Sequence, residues 1–344
     1  MRTGNRGVVE SSGLNVARDY CVSDVWAVLP ERIVERATIV VEDGLIVSLV
    51  ESGATTGRPI RGRGSVCIPG IVDIHSDVGI DTSPVDHAIT TQLHVLGFSG
   101  SATDGASETR LRAGSDATSA IDHRPLLCID DPTVVDDVAR CASVCAAHNG
   151  AVVVSVAASS LTENDADSVD PALDWFTVQA MAQRLRLIVR GPVTADDVDR
   201  AVDLGAGAVE YPATIEAARR AHERGLAVIG SAADIVARSD VPTVISPLAL
   251  IELGLCDALS SAARPTSLLE AVSLLVLRGV CDLRTAVKLV TSAPAGIAGL
   301  ADRGRLVSGQ RGDLVLLRPD REHFRVHGVF TVGEPAAVSG TLVG

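Results

Sequence analysis

The chain has 344 residues, with 43 acidic against 30 basic side chains and a formal net charge of −13. That length is too great for a single small domain, and the acidic balance argues against a generic nucleic-acid binder. Hydrophobic residues make up 47% and aromatic ones only 2%, so the core has to be aliphatic, with few rings left to stack on bases.

The first twenty-one residues contain no apolar signal-like run, and no later stretch offers the ~20 uninterrupted apolar residues of a membrane span. The seven cysteines include no C-x-x-C pair. Cys141 and Cys145 are four apart on an expected helix, but no nearby Cys or His completes a tetrahedral set. The expectation is a reduced cytoplasmic protein with buried core thiols.

From about residue 17 to 66, short β-like runs alternate with turn residues, and Asp43-Gly44 between "TIVVE" and "LIVSLVE" is a two-residue hairpin signal. The middle then alternates strand and helix patterns, as a parallel sheet with crossovers requires. Candidate strands are 67–75, 97–103, 124–130, 150–158, 186–190, 207–211, 226–231 and 257–261. Eight is the number that closes a (β/α) barrel.

Between the strands, "TADDVDRAVDLGAG" has Thr194 as cap, acids in its first turn and Gly205 as stop. "PATIEAARRAHERG" repeats the form with Thr214 and Gly225. Two helices, "PTSLLEAVSLLVLRG" and "DLRTAVKLVTSAPAGIAG", follow the last strand, and β-like texture returns in "GRLVSGQRGDLVLLRPD" and "FRVHGVFTVG". The fold class expected is α/β: a (β/α)8 TIM-type barrel over 67–299, with a small β-domain assembled from residues 1–66 and 300–344.

Ligand-directed groups of such a barrel lie at the carboxyl ends of its strands. That rule selects His75, Asp77, Asp104, Asp130, Asp131, Arg190, Glu210, Tyr211, Ser231, Asp234, Ser261 and Arg264. His75 and Asp77 are the most pointed pair, because residues i and i+2 of a strand face the same way and can offer imidazole and carboxylate to one cation. The competing reading of H-x-D is a histidine hydrogen-bonded to its neighbouring acid.

The string "CIPGIVDIHSDVG", with "GRLVSGQRGDLVLL" far downstream, resembles the amidohydrolase superfamily. Within it the pattern is similar to the PhnM family of α-D-ribose 1-methylphosphonate 5-triphosphate diphosphatases, which carry H-x-D. Supporting segments are 121–128, 210–230, 250–261, 265–272 and 289–306, in one consistent order. The resemblance implies a (β/α)8 barrel with a composite β-domain and, in working relatives, a divalent-metal centre that activates water against a phosphoanhydride or amide.

The departures are as informative. Where the family's fourth strand tends to end in "DH", this chain has Ala158-Ser159; where its fifth offers "SHD", this chain has Val189-Arg190-Gly191. The aspartate of the eighth strand's "SSD", which takes the attacking water's proton, is replaced by Ala262. His123 precedes the third strand, His87, His94, His148 and His222 fall in expected helices, and His323 and His327 in the terminal β-run, so no second histidine is expected at a strand end.

A catalytic zinc usually needs three protein ligands. His75 and Asp77, with an acid such as Asp131 or Glu210, would hold at most one weakly bound divalent cation. Lys288, the only lysine, is expected on the solvated face of an amphipathic helix. A guanidinium repels a cation but suits phosphate or carboxylate.

Arg190 and Arg264 are therefore expected to hold an anionic small molecule, beside Asp104 and Ser261. His75, Asp77, Glu210 and Asp234 are the candidate acids and bases. No resident cofactor is expected. The rival expectations are a catalytically lapsed barrel whose arginines are consumed by internal ion pairs, and a conventional metallohydrolase with differently placed ligands. Any oligomer is expected to be a homodimer.

Overall fold

A computed structural model describes residues 8–10, 19–51, 58–77, 87–97, 121–129, 142, 145–146, 152–161, 171–237 and 245–339. They form two eight-stranded sheets. The first has the order β1-β16-β15-β14-β5-β2-β3-β4. Its amino-terminal strands are β1 (Val8–Glu10), β2 (Tyr20–Val28), β3 (Ile33–Glu42), β4 (Leu45–Glu51) and β5 (Arg58–Pro69). Its carboxy-terminal strands are β14 (Leu314–Pro319), β15 (Phe324–Thr331) and β16 (Glu334–Ser339).

β14 pairs antiparallel with β5, so the two ends of the chain meet in one sheet. The β3–β4 hairpin turns at Asp43 and Gly44, whose φ values of 49° and 78° are what a type I′ turn demands. A side chain at Gly44 would collide with Val332 of the neighbouring turn, which makes glycine the residue for this position.

Eight parallel strands make the second sheet: β6 (Ile71–Ser76), β7 (Ile89–Gly97), β8 (Asp122–Ile129), β9 (Val153–Ala157), β10 (Arg186–Arg190), β11 (Ala208–Glu210), β12 (Ala227–Ser231) and β13 (Ala258–Ser260). They hydrogen-bond in chain order, as right-handed crossovers dictate. The ring closes just past β13, where Ala262 bridges Ser76 in parallel. There the Ala262 amide donates to the His75 carbonyl at 3.1 Å, and the Asp77 amide donates to the Ala262 carbonyl at 3.0 Å.

The helices follow local chemistry. Helix α2 (Ala195–Asp203), which succeeds α1 (Pro171–Met181), starts in a capping box: the Thr194 hydroxyl accepts from the Asp197 amide and the Asp197 carboxylate accepts from the Thr194 amide. Thr214 caps α3 (Ile215–Glu223) in the same way, through the Ala217 amide. Gly205 and Gly225 follow these helices with φ of 77°.

After the short helices α4 (Ala232–Ala237) and α5 (Pro247–Glu252), α6 (Ser267–Leu277) is apolar on nearly every face. It is wedged between the barrel and the terminal sheet, so Leu268, Leu269, Val272 and Leu275 share one core with Val315, Leu317 and Val329. Two more helices follow, α7 (Leu283–Val290) and α8 (Ser292–Ile297). Among the described residues no helix is long and apolar enough to cross a membrane.

Three elements depart from expectation. The 67–75 run divides at Gly70 between β5 and β6, and the helix expected over "DLRTAVKLVTSAPAGIAG" breaks at Thr291 into α7 and α8. The second barrel strand is β7 at 89–97, not 97–103, and His94, expected on a helix, is a strand residue in register with Ser76 and Pro125. The reason is visible in its partners. Thr90, Thr91, Gln92 and His94 are all buried, and Gln92 and Thr91 are bonded to Asp73 and Arg303. A strand that buries a run of polar side chains, two of them bonded to distant partners, shows no apolar period.

Candidate active site

The carboxyl ends of β6, β7, β10, β11 and β13 bring together the groups with most chemical potential. His75, buried at the end of β6, lies between two carboxylates. Its Nδ1 is 2.7 Å from Glu210 Oε2, and its Nε2 is 3.2 Å from Asp77 Oδ1. The two acids differ in setting: Glu210 is fully buried on β11, while Asp77 is exposed just past β6.

Burial opposes a charge on His75, but the Glu210 carboxylate and the hydrogen bonds to Asp77, Cys128 and Glu210 outweigh it. They hold the imidazole protonated well above its usual range, so both ring nitrogens donate. Asp77 is held below the carboxylate range chiefly by its hydrogen bond from His75, with the charges of Arg190 and His94 adding to it against partial burial.

Behind this pair sits a chain of hydroxyls. The Tyr211 hydroxyl is 2.6 Å from Ser260 Oγ, which in turn donates to Glu210 Oε1 at 3.4 Å. The Tyr211 ring lies 6.0 Å from the His75 ring, centroid to centroid. Tyr211 and Ala262 both have φ of 52°, a left-handed conformation unfavourable for side chains larger than glycine. Two such positions beside one histidine mark a site whose geometry the surrounding fold enforces.

Arg190 ends β10 in register with Glu210 on β11 and Ala157 on β9, and its Nη1 donates to Ser155 Oγ at 3.1 Å. The expected grouping of His75, Asp77, Glu210 and Arg190 is thus present at one mouth. Other expected members stand elsewhere. Arg264 gives its Nη2 to both oxygens of Glu270, at 3.1 and 2.9 Å, in an exposed ion pair. Asp234 is exposed in the first turn of α4, where its amide donates to Ser231 Oγ.

Ser261 is buried and spends its hydroxyl and amide on Asp73, at 2.6 and 3.0 Å, and so tethers β6 to the loop after β13 rather than facing the mouth. Burial raises Asp73 to about 6 despite these bonds. Asp104, Asp130, Asp131 and the 104–121 stretch considered as a cover for the mouth lie outside the described residues, apart from Ile121. His123 sits near the start of β8, at the opposite end of the barrel, as its sequence position suggested.

Four members escaped the sequence reading. His94 was hidden by the misplaced second strand, yet it stands level with Ser76 and near enough to Asp77 to influence its charge. Ser155, Cys128 and Ser260 are strand residues of ordinary type, and only tertiary contact reveals them. The alternation of Ala258 and Ser260 along β13 was the one available signal for the last.

A metal centre of the kind implied by the resemblance would need neutral imidazole and about three protein ligands. Within the described residues no such set is grouped, and Asp131, an expected third ligand, lies outside them. Both ring nitrogens of His75 are engaged by carboxylates. What the arrangement offers is an oriented imidazole with a buried carboxylate behind it, an open carboxylate in front, and a guanidinium alongside.

Comparison with known proteins gives three results. Residues 257–344 match the family model described as Amidohydrolase family. Over 170 residues, 48% of this chain, the sequence is 34% identical to α-D-ribose 1-methylphosphonate 5-triphosphate diphosphatase of Escherichia coli (strain K12), and the match spans 44% of that protein's length. By fold, the chain is similar to dihydropyrimidinase from Brevibacillus agri, with a TM-score of 0.71 at 13% identity, covering 95% of this chain and 96% of the other. It is also similar to N-acetylglucosamine-6-phosphate deacetylase from Pasteurella multocida, with a TM-score of 0.68 at 13% identity, covering 92% and 99%. At such identities the two structures speak for the fold alone.

Proposed function

We propose that the chain is a PhnM-like member of the amidohydrolase superfamily, a reading supported by the partial family-model and sequence matches, and that its barrel mouth binds and transforms a phosphorylated or carboxylated small molecule without the divalent-metal centre that the resemblance implies. The observation that carries this reading is the His75 imidazole clasped between Glu210 and Asp77, with Arg190 at the end of the adjoining strand.

Glu210 fixes the ring from behind through Nδ1, which leaves the Nε2 edge and Asp77 facing the opening. The exposed Asp77 carboxylate, held ionised by the ring, is the group placed to take a proton from a bound substrate, and the Nε2 proton behind it is the one the pair can give. The Arg190 guanidinium, beside Asp77, supplies the charge to hold an anionic group by paired hydrogen bonds. Elimination, isomerisation and cyclisation need only such proton transfers on an immobilised anion, and fit these residues as well as hydrolysis does.

Two measurements test the proposal. Elemental analysis of the purified protein is expected to find no stoichiometric metal. One or two equivalents of zinc, manganese or iron, lost in both His75→Ala and Asp77→Ala, would overturn the metal-free reading. Arg190→Ala is expected to weaken binding of phosphate esters that raise the melting temperature by tenfold or more, since a charge-assisted bidentate contact contributes about 1.5–3 kcal/mol. Unchanged binding sinks the anion site.

The exposed Arg264–Glu270 ion pair favours a second reading, in which the barrel has lost catalysis and serves as a binding protein. The proposal includes a cytoplasmic setting, supported by the described cysteines, all of which are free.

A further inference from the structure

A second polar opening lies at the opposite end of the barrel. Ala227 is the first residue of β12 and Asp257 immediately precedes β13, so the cleft that both line sits where strands enter the sheet, away from His75. Its volume is about 500 Å³, within the range of small-molecule sites. Three segments converge on it: the α3–β12 turn with His222 and Gly225, the approach to β13 with Asp257, and the α7–α8 region with Lys288 and Gly296, joined by Arg305.

The cleft carries two cations and a single acid. Its one acid is already committed, because Asp257 Oδ2 lies 2.9 Å from His222 Nε2 and accepts from the Val228 amide at 2.9 Å. Lys288 and Arg305, by contrast, have no carboxylate partner among the described residues, although the protein carries an acidic excess of thirteen charges. On α3 and just past it, Arg220 is paired with Asp199 and Glu223, and Arg224 with Asp199.

The floor of the cleft is also kept open. A side chain at Gly225 or at the helical Gly296 would meet nothing within 4 Å, so neither position is glycine because a packed neighbour requires it. Gly225 is explained by its φ of 77° as the stop of α3. Gly296 has no such conformational reason, and inside α8 it costs roughly 0.5–1 kcal/mol of helix stability relative to alanine. Its effect is to leave a shallow, unobstructed surface beside two free cations.

We propose that this amino-terminal cleft is a second anion site, which takes a small phosphate-bearing ligand between Lys288 and Arg305. The ammonium offers three donors on a flexible stem and the guanidinium a planar fork, a pairing suited to the tetrahedral oxygens of a phosphate group. The remaining volume has room for a polar substituent on that phosphate. The site is separate from the barrel mouth and does not depend on what the mouth does.

The test uses inorganic phosphate as the probe, titrated calorimetrically at constant ionic strength into the full chain. The Arg190→Ala background removes the cation of the mouth, so binding that persists there reports on the cleft. The expected result is saturable binding of one equivalent in Arg190→Ala that weakens at least tenfold when Lys288→Gln and Arg305→Gln are added, with the melting temperature of the unliganded protein held. Both side chains are exposed, so loss of fold is not the expected cause.

Binding unaffected by the two glutamines overturns the proposal, and so does its disappearance in Arg190→Ala alone, which would locate the phosphate at the mouth. With Arg190 intact, Lys288→Gln and Arg305→Gln together are expected to remove one equivalent of phosphate binding, and an unchanged stoichiometry and affinity there overturns the proposal.

Discussion

His75 shows how one side chain acquires a role through its neighbours. In the sequence it is half of an H-x-D, a pattern equally suited to a cation or to a local hydrogen bond. The carboxylate that decides its state is 135 positions away, on β11. A buried pair of this kind is expected to be strongly coupled, since removal of one partner leaves the other charged and dry. Glu210→Gln and His75→Gln are each expected to lower unfolding free energy by about 3 kcal/mol, while the double variant loses less than the sum. Urea denaturation of the four proteins measures this, and strictly additive losses would show that the two groups do not act as a pair. Arg264 shows the converse: a loop residue just past a strand end is drawn to Glu270, six positions on, rather than to the His75 cluster.

At the scale of elements, local chemistry and local structure agree wherever the signal was short-range. The 186–190 strand is observed as read, and Thr194 and Thr214 cap the helices assigned to them. Thr194→Ala removes the acceptor for the Asp197 amide and is expected to cost about 1 kcal/mol. Thr194→Asn, which keeps an acceptor at the cap, is expected to restore most of it, and equal losses in both would exclude capping as the cause. β7 is the counterexample. It buries polar residues, of which Gln92 and Thr91 are bonded to the remote Asp73 and Arg303, so the "TTQLH" run resembles no half-buried strand. The same displacement carried His94 from an expected surface helix to the barrel mouth.

The whole molecule is joined by a shared apolar core and by one ionic clasp. Asp122, at the start of β8, accepts from Arg303, Arg311 and Arg124, and so links the barrel to the segment that leads into the terminal sheet. Although burial raises the Asp122 carboxyl, hydrogen bonds and charge from Arg303 and Arg124 prevail and lower it to about 2. Because the folded value lies below the unfolded one of 3.8, the stabilisation is fully present above about pH 4 and is lost as the pH falls towards 2. The shift corresponds to about 2 kcal/mol. Asp122→Asn is therefore expected to lose about that much at pH 7 and to show a flatter decline in stability between pH 4 and 2. An acid limb identical to wild type would remove Asp122 from the account.

The alternation of strand and helix, the hairpin at Asp43-Gly44 and the caps are products of patterns that repeat over two to four residues, so they were legible in the amino-acid order alone, and β-like texture at both ends of the chain pointed to a shared sheet. His75-Ser76-Asp77 was legible too, because an abrupt end to an apolar run marks the carboxyl end of a barrel strand. The tertiary structure decided which of twelve strand-end groups meet. It gathered Glu210, Arg190, His94 and Ser260 around His75, sent Ser261 to Asp73 and Arg264 to Glu270, and left Asp234 in solvent. Barrel closure sets those distances: residues more than a hundred positions apart become neighbours only when β13 returns to β6, and the direction of each side chain depends on a register that no short window of sequence contains.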